Sequence, residues 1–214
     1  MKSQAYHGPD WSEEESFAKA QWYREQMKLR RSLRHFCSRP LPEGVLEACI
    51  EAASRAPSGA NQQPWHFAVV KSPAMKAAIR EAAEKEEWAF YHGRAPQEWL
   101  DALAPLGTDE NKPFLTEAPA LVAIFAQVSG ADASKHYYVQ ESVGIACGFL
   151  IAGLHLCGLS CLTHTPSPMK FLGQLLGRPR EERPFLLLVV GYPAPGAEVP
   201  QLTKKSPSEF MTYH

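Results

Sequence analysis

The chain has 214 residues, 45% of them hydrophobic and 21% charged, enough apolar material for one core of ordinary size. A formal net charge of −1 gives no electrostatic reason to expect a nucleic acid partner. No stretch reads as a bilayer span, the longest candidate being residues 143–159, and no apolar signal core follows residues 1–11. The five cysteines, Cys37, Cys49, Cys147, Cys157 and Cys161, contain no CxxC pair, which suits reduced thiols in a cytoplasmic protein and offers no metal site.

Residues 1–28 are expected to form an N-terminal helical extension. Within it, residues 12–28 are charged and helix-prone, with Ser12 as N-cap and Glu15 completing a capping box. Phe17, Trp22 and Tyr23 suggest a face that covers something, such as a partner subunit. Residues 42–53 carry Val45, Leu46, Cys49, Ile50 and Ala53 at helical spacing. After the breaker-rich turn Ala56-Pro57-Ser58-Gly59-Ala60-Asn61, residues 65–70 predict a strand and residues 73–83 a helix. Residues 84–115 mix charge, aromatics and breakers, which predicts a partly helical flap. Residues 120–126 predict a buried strand, and residues 136–156, rich in small residues, a central helix packed closely on all sides. A strand over 160–163, a short helix over 169–176 and an interior strand over 185–190 follow. The tail, residues 194–214, has little periodicity and needs a docking surface. About four strands alternate with helices, a mixed α/β or α+β arrangement. There is no GxGxxG or GxxxxGK[ST], so a dinucleotide fold or phosphate loop has no support.

Several clusters carry potential chemistry. Arg30, Arg31, Ser32, Leu33 and Arg34 bring guanidiniums and a hydroxyl close together, able to grip a phosphate or reach a flavin edge; a solvated basic patch has the same composition. The small residues of the 56–61 turn let a backbone approach a planar ligand, though an ordinary helix-to-strand loop looks alike. Glu87 and Tyr91 share a helix face at i and i+4, and Lys112 can fold back to them. A carboxylate, a phenol and an ammonium together describe a receptor for an amino-acid zwitterion; the other reading is a solvated flap. Thr165 stands before a proline at a strand end, where its hydroxyl could donate to a cofactor nitrogen. Lys204 and Lys205 in the tail could close on a phosphate.

Several stretches carry a family resemblance. The run Arg30-Arg31-Ser32-Leu33-Arg34 and the run from Ala56 through Gln62-Gln63-Pro64-Trp65 resemble the opening signatures of the nitroreductase family. Glu141-Ser142-Val143-Gly144-Ile145-Ala146-Cys147-Gly148 is similar to its dimer-forming helix, and Gly177-Arg178-Pro179 with Val190-Gly191-Tyr192-Pro193 to its closing signature. Glu87, Tyr91 and Lys112 match in type and spacing the lid triad of the iodotyrosine deiodinase branch. Thr163-His164-Thr165-Pro166 resembles that branch's Thr-rich strand end, with His164 replacing a threonine, and the segment ending in Lys204-Lys205 resembles its tail, with Lys204 where arginine is common.

The resemblance implies an α+β, FMN-dependent nitroreductase-like fold over residues 29–214, with a lid at about 84–115 and a central mixed sheet flanked by helices. It implies an intertwined homodimer with an exchanged C-terminal arm, and two FMN molecules at the interface. Arg30, Arg31, Ser32, Leu33, Arg34, Pro57, Ser58, Gly59, Thr163, His164, Thr165 and Lys204 would hold FMN, with Ser58 and Gly59 reaching it from the partner chain. Ala60, Glu87, Tyr91 and Lys112 would bind halotyrosine, and Thr165 and Ala60 would act in catalysis, Thr165 favouring one-electron steps by donating to flavin N5. The implied activity is reductive dehalogenation of halogenated tyrosine by a soluble, bacterial-type enzyme, with NAD(P)H as a candidate reductant. The alternative on the same scaffold is a broad NAD(P)H-dependent nitroreductase, in which Glu87 and Lys112 are surface charges on a loose lid. A flavin-binding protein without turnover is a third reading.

Overall fold

Residues 120–126 are buried without interruption, because both faces of the strand that contains them are covered. The computed structural model describes residues 3–130 and 134–214, so Met1 and Lys2, at the start of the expected extension, lie outside the described residues. The chain divides into two units, one ending at Arg31 and one running from Ser32 to His214.

The first unit contains helix α1 (Glu13–Leu29). Its predicted capping box is present: the Ser12 hydroxyl accepts the Glu15 N–H at 3.2 Å, and Glu15 accepts the Ser12 N–H at 3.0 Å. No residue of α1 is buried. Phe17, Trp22 and Tyr23 stand exposed on it.

In chain order the second unit contains β1 (Phe36–Cys37), α2 (Val45–Ala53), β2 (Trp65–Val70), α3 (Pro73–Ala89), α4 (Gln97–Leu103), α5 (Phe114–Glu117), β3 (Ala120–Gln127), α6 (Val139–Leu156), β4 (Ser160–His164), α7 (Lys170–Leu175) and β5 (Glu182–Pro193). The five strands form one sheet in the order β1-β5-β3-β2, with β4 also paired to β5. Side chains alternate across it. Val122 and Ile124 of β3 join Leu188 and Val190 of β5 under α2 and α6. Leu121, Ala123 and Phe125 join Leu187 and Val189 under α3, α5 and α7. A sheet buried on both faces is the three-layer solution to these two apolar stripes.

Several expectations are corrected. The mixed sheet is antiparallel in every ladder between named strands; its parallel component is the isolated bridge Ser32–Cys161. The connections return the chain to antiparallel neighbours. The fifth strand, β1, has only two residues, too short for periodicity to reveal. Helix α2 starts at Val45 rather than 42 because Gly44 adopts a left-handed φ of 76°. Helix α3 runs on to Ala89, so the charged run expected to open the flap is its last part.

Helix α6 buries Ser142, Val143, Ala146, Cys147, Leu150 and Leu154. Its other face leaves Ile145 41%, Phe149 46% and Leu156 42% exposed, so it is not packed on all sides within this chain. It is also, at 18 residues and mean hydropathy 1.4, long and apolar enough to cross a membrane by length and composition, contrary to the expectation. Packing against α2 and the sheet buries a third of the helix.

Candidate functional site

After β4 the chain leaves the sheet at Thr165, and next to this strand end a cavity of about 280 Å³ opens beneath the flap. Arg34, Leu162, Thr163, His164 and Thr165 line one side; Glu87, Phe90, Tyr91, Trp99, Thr108 and Lys112 line the other. Pleating sets the wall: His164 is buried, while Thr163 and Thr165 are exposed.

The flap is built on the end of α3. Beyond Ala89 the backbone loosens into a wide turn over Phe90–Arg94, in which Gly93 takes an extended φ of 168°. Arg94 fastens the turn, pairing with Glu86 at 2.7 Å and donating to the Ser167 carbonyl at 2.5 Å. Glu87 and Tyr91 do meet Lys112. The Lys112 ammonium lies 3.1 Å from the Glu87 carboxylate and 5.5 Å from the centre of the Tyr91 ring. It also donates to the Asp109 carbonyl and, at 3.4 Å, to the Thr108 hydroxyl. Lys112 is only 3% exposed, so this is a desolvated charge pair rather than a surface one. The Tyr91 hydroxyl is within 3.1 Å of the Thr108 carbonyl and 3.0 Å of its hydroxyl. Burial pushes the Tyr91 phenol up from its ordinary value; the Thr108 hydrogen bond opposes this and the carboxylates of Glu87, Asp109 and Glu110 add to it, which keeps the phenol a neutral donor.

His164 lies edge-on to Phe114, and its Nε2 has no hydrogen-bond partner among the described residues. Burial, with the Lys112 cation nearby, lowers its pKa from 6.5 to about 3. The unfolded chain therefore binds a proton between these values that the folded chain does not. Stability is complete above the unfolded value and is lost as pH falls toward the folded one. At pH 5 the expected loss is about 2 kcal/mol. Urea midpoints at pH 7.5 and 5 in the native chain and in His164→Thr test this: the variant should lose most of the slope.

The remaining expected residues are distributed differently. Arg30 caps the C-terminus of α1 with extended backbone, and Arg31 follows it. Ser32 bridges to Cys161. Leu33 is 5% exposed in the core and donates its N–H to the Cys161 carbonyl at 3.3 Å, so its side chain does not face the cavity. Pro57, Ser58, Gly59 and Ala60 are outside the cavity lining within this chain. They form a tight turn with left-handed φ at Ala60 (47°), Asn61 (56°) and Gln63 (48°). A run of non-glycine residues in that region is strained backbone, held here by the Ser58 hydroxyl accepting the Gln63 N–H at 2.9 Å. Lys204 is exposed in the tail. Sequence reading missed the lining residues Phe90, Trp99, Thr108 and Phe114, which have no motif. It also missed Arg80 and Glu84, which hold the flap from outside the cavity.

The twofold-covered antiparallel sheet with its lidded strand-end cavity is an α+β nitroreductase-like fold with helices flanking a sheet. Residues 27–192 match the nitroreductase family, and the chain belongs to that family. An iodotyrosine deiodinase from Haliscomenobacter hydrossis is 51% identical over 98% of this chain and 96% of its own length. The solved structure of an oxidized iodotyrosine deiodinase bound to FMN and 3-iodo-L-tyrosine has a TM-score of 0.77 and 31% identity, covering 89% of this chain and 100% of that one. An FMN-dependent nitroreductase from Mycobacterium smegmatis, in complex with NADPH, shares the fold at a TM-score of 0.69 and 21% identity, covering 92% of this chain and 99% of that one.

The donor chemistry of the cavity suits FMN. Arg34, Thr163 and Thr165 offer a guanidinium and two hydroxyls to one space, and the oxidised edge of a flavin is a row of acceptors. The opposite wall offers one negative and one positive group to a small ligand.

Proposed function

We propose that this protein is an FMN-dependent reductive dehalogenase of halogenated tyrosine, an iodotyrosine deiodinase. The observation that carries the reading is the buried Lys112–Glu87 pair with Tyr91, facing the same cavity as Thr163 and Thr165. A loose lid with surface charges, as in a broad nitroreductase, would not bury a lysine to 3% exposure.

FMN, when bound, supplies the two reducing electrons, with NAD(P)H a candidate donor to it. Arg30, Arg31, Ser32 and Lys204 would hold its phosphate and ribityl chain, with Pro57 also at the cofactor and Ser58 and Gly59 reaching it from the partner. Arg34 brings a cation to the ring edge that gains negative charge on reduction. Thr165 would offer its hydroxyl to flavin N5 from the exposed face it shares with Thr163, with His164 buried between them. The substrate's ammonium takes Glu87 and its carboxylate takes Lys112, so the zwitterion inserts into the resident ion pair and closes the lid against water. The Ala60 N–H donates to the phenolate oxygen. Halogens acidify a phenol below its usual value of about 10, so a phenolate-selecting site favours halotyrosine over tyrosine. The carbon–halogen bond breaks with its pair on the departing halide, and two electrons and a proton make the new C–H bond.

The working unit is an intertwined homodimer with exchanged C-terminal arms, formed on the open face of α6 and wrapped by the N-terminal extension. Ile145 and Phe149, both more than a third exposed, support that face as the contact. Five cysteines held as thiols suit a cytoplasmic setting.

Titrating the FMN-loaded protein with 3-iodotyrosine and tyrosine at pH 7.4, by flavin fluorescence, tests the reading. The iodinated ligand should bind at least about tenfold tighter. Equal binding, with rapid NAD(P)H-driven turnover of a nitroaromatic, would assign the protein to the nitroreductases instead.

A further inference from the structure

The flap's receptor is held in register by a row of polar side chains on α3, of which only the last, Glu87, lines the cavity. Lys76, Arg80, Glu84 and Glu87 are spaced four, four and three residues apart, which places them within about 80° of one another around the helix. They meet the returning segment in reverse order. The buried Lys76 ammonium donates to the carbonyls of Thr116 at 3.0 Å and Ala118 at 2.6 Å. Arg80 donates to the Thr116 hydroxyl at 3.1 Å and to Glu84 at 2.7 Å. Glu84 then accepts the backbone N–H of Lys112 at 2.7 Å, and Glu87 pairs with the Lys112 ammonium.

One oxygen of Glu84, Oε1, therefore takes both the Arg80 guanidinium and the Lys112 amide. That fixes the backbone from which the Lys112 side chain projects, one helical turn before the carboxylate it meets. We infer that Glu84, braced by Arg80, is a positioning residue for Lys112 and so sets the affinity for the α-amino-acid end of the substrate. Neither Glu84 nor Arg80 lines the cavity. The inference rests on the proposed function above, because it takes Lys112 as the group that receives the substrate carboxylate.

A pair of substrates separates this role from general support of the fold. 3-Iodotyrosine carries the zwitterion, and 2-iodophenol carries only the reacting ring. Glu84→Ala should raise KM for iodotyrosine about five- to tenfold with kcat within about twofold, and leave KM for iodophenol and the FMN content unchanged. Glu84→Gln keeps an acceptor oxygen for the Lys112 amide and should restore most of the loss. Glu84→Asp, shortened by one methylene but still charged, should raise KM for iodotyrosine about threefold, and decides the matter if the alanine variant fails to fold. An unchanged iodotyrosine KM in both Ala and Asp variants, or equal rises for both substrates, overturns the inference. A native protein that releases no iodide from iodotyrosine overturns the proposed function itself, which is a different result.

Discussion

Lys112→Ala is expected to lower kcat/KM for 3-iodotyrosine by about 100- to 1,000-fold, while changing turnover of 2-iodophenol by less than about threefold. The side chain is nearly fully buried and its ammonium is 3.1 Å from Glu87. Truncating one member of a desolvated charge pair costs about 2–5 kcal/mol, and each 1.4 kcal/mol is about tenfold in affinity. The variant removes the cation for the substrate carboxylate and leaves the Glu87 carboxylate without its partner. Both losses fall on the amino-acid end of the ligand and spare the ring. Lys112→Arg keeps the charge but enlarges a confined group, so it should recover only part of the activity. Parallel steady-state measurements on the two substrates check this. Equal losses on both would mean that Lys112 supports the flap generally rather than receiving the carboxylate.

The second large effect is expected from Ile145→Glu combined with Phe149→Glu. Both positions are exposed on α6 in the single chain, so an isolated subunit accommodates them with little change in stability. In a dimer formed on that face they would bring carboxylates together from both copies, at several kcal/mol each. Gly144 and Gly148 lie on the same face with nothing within 4 Å of where a Cβ would stand, room for a neighbour to approach closely. Sedimentation velocity should find a folded monomer, and the absorbance spectrum should show no retained flavin, because the proposed FMN site draws Ser58 and Gly59 from the partner. A yellow dimer would move the interface elsewhere.

Much of the fold was legible because it depends on local patterns. The Ser12/Glu15 box names its own helix start, and the β-rich run 65–70 is bounded by a proline and a Lys-Ser-Pro turn, so β2 has its predicted limits. The meeting of Glu87, Tyr91 and Lys112 was legible for the same reason: Glu87 and Tyr91 stand one helical turn apart, and Lys112 follows at a distance that a flap can close. What stayed hidden depends on distant partners. Glu84 meets a backbone amide 28 residues away, and nothing about a glutamate in a charged run announces that acceptor. Thr108 is an ordinary loop threonine until Tyr91 is placed against it. Leu33 sits among ligand-type residues in sequence yet turns into the core, because the bridge at Ser32 fixes its direction. Helix α6 read as packed all round because small apolar residues look the same whether their neighbour is in this chain or another.

The most direct test of the central claim is anaerobic single turnover. The FMN-loaded protein is reduced with dithionite, mixed with one equivalent of 3-iodotyrosine, and followed by flavin absorbance together with released iodide and tyrosine. Rapid reoxidation is expected, with iodide and tyrosine formed one to one, and that reaction should be lost in Lys112→Ala at the same substrate concentration. Flavin that stays reduced with iodotyrosine but is promptly reoxidised by a nitroaromatic would contradict the claim.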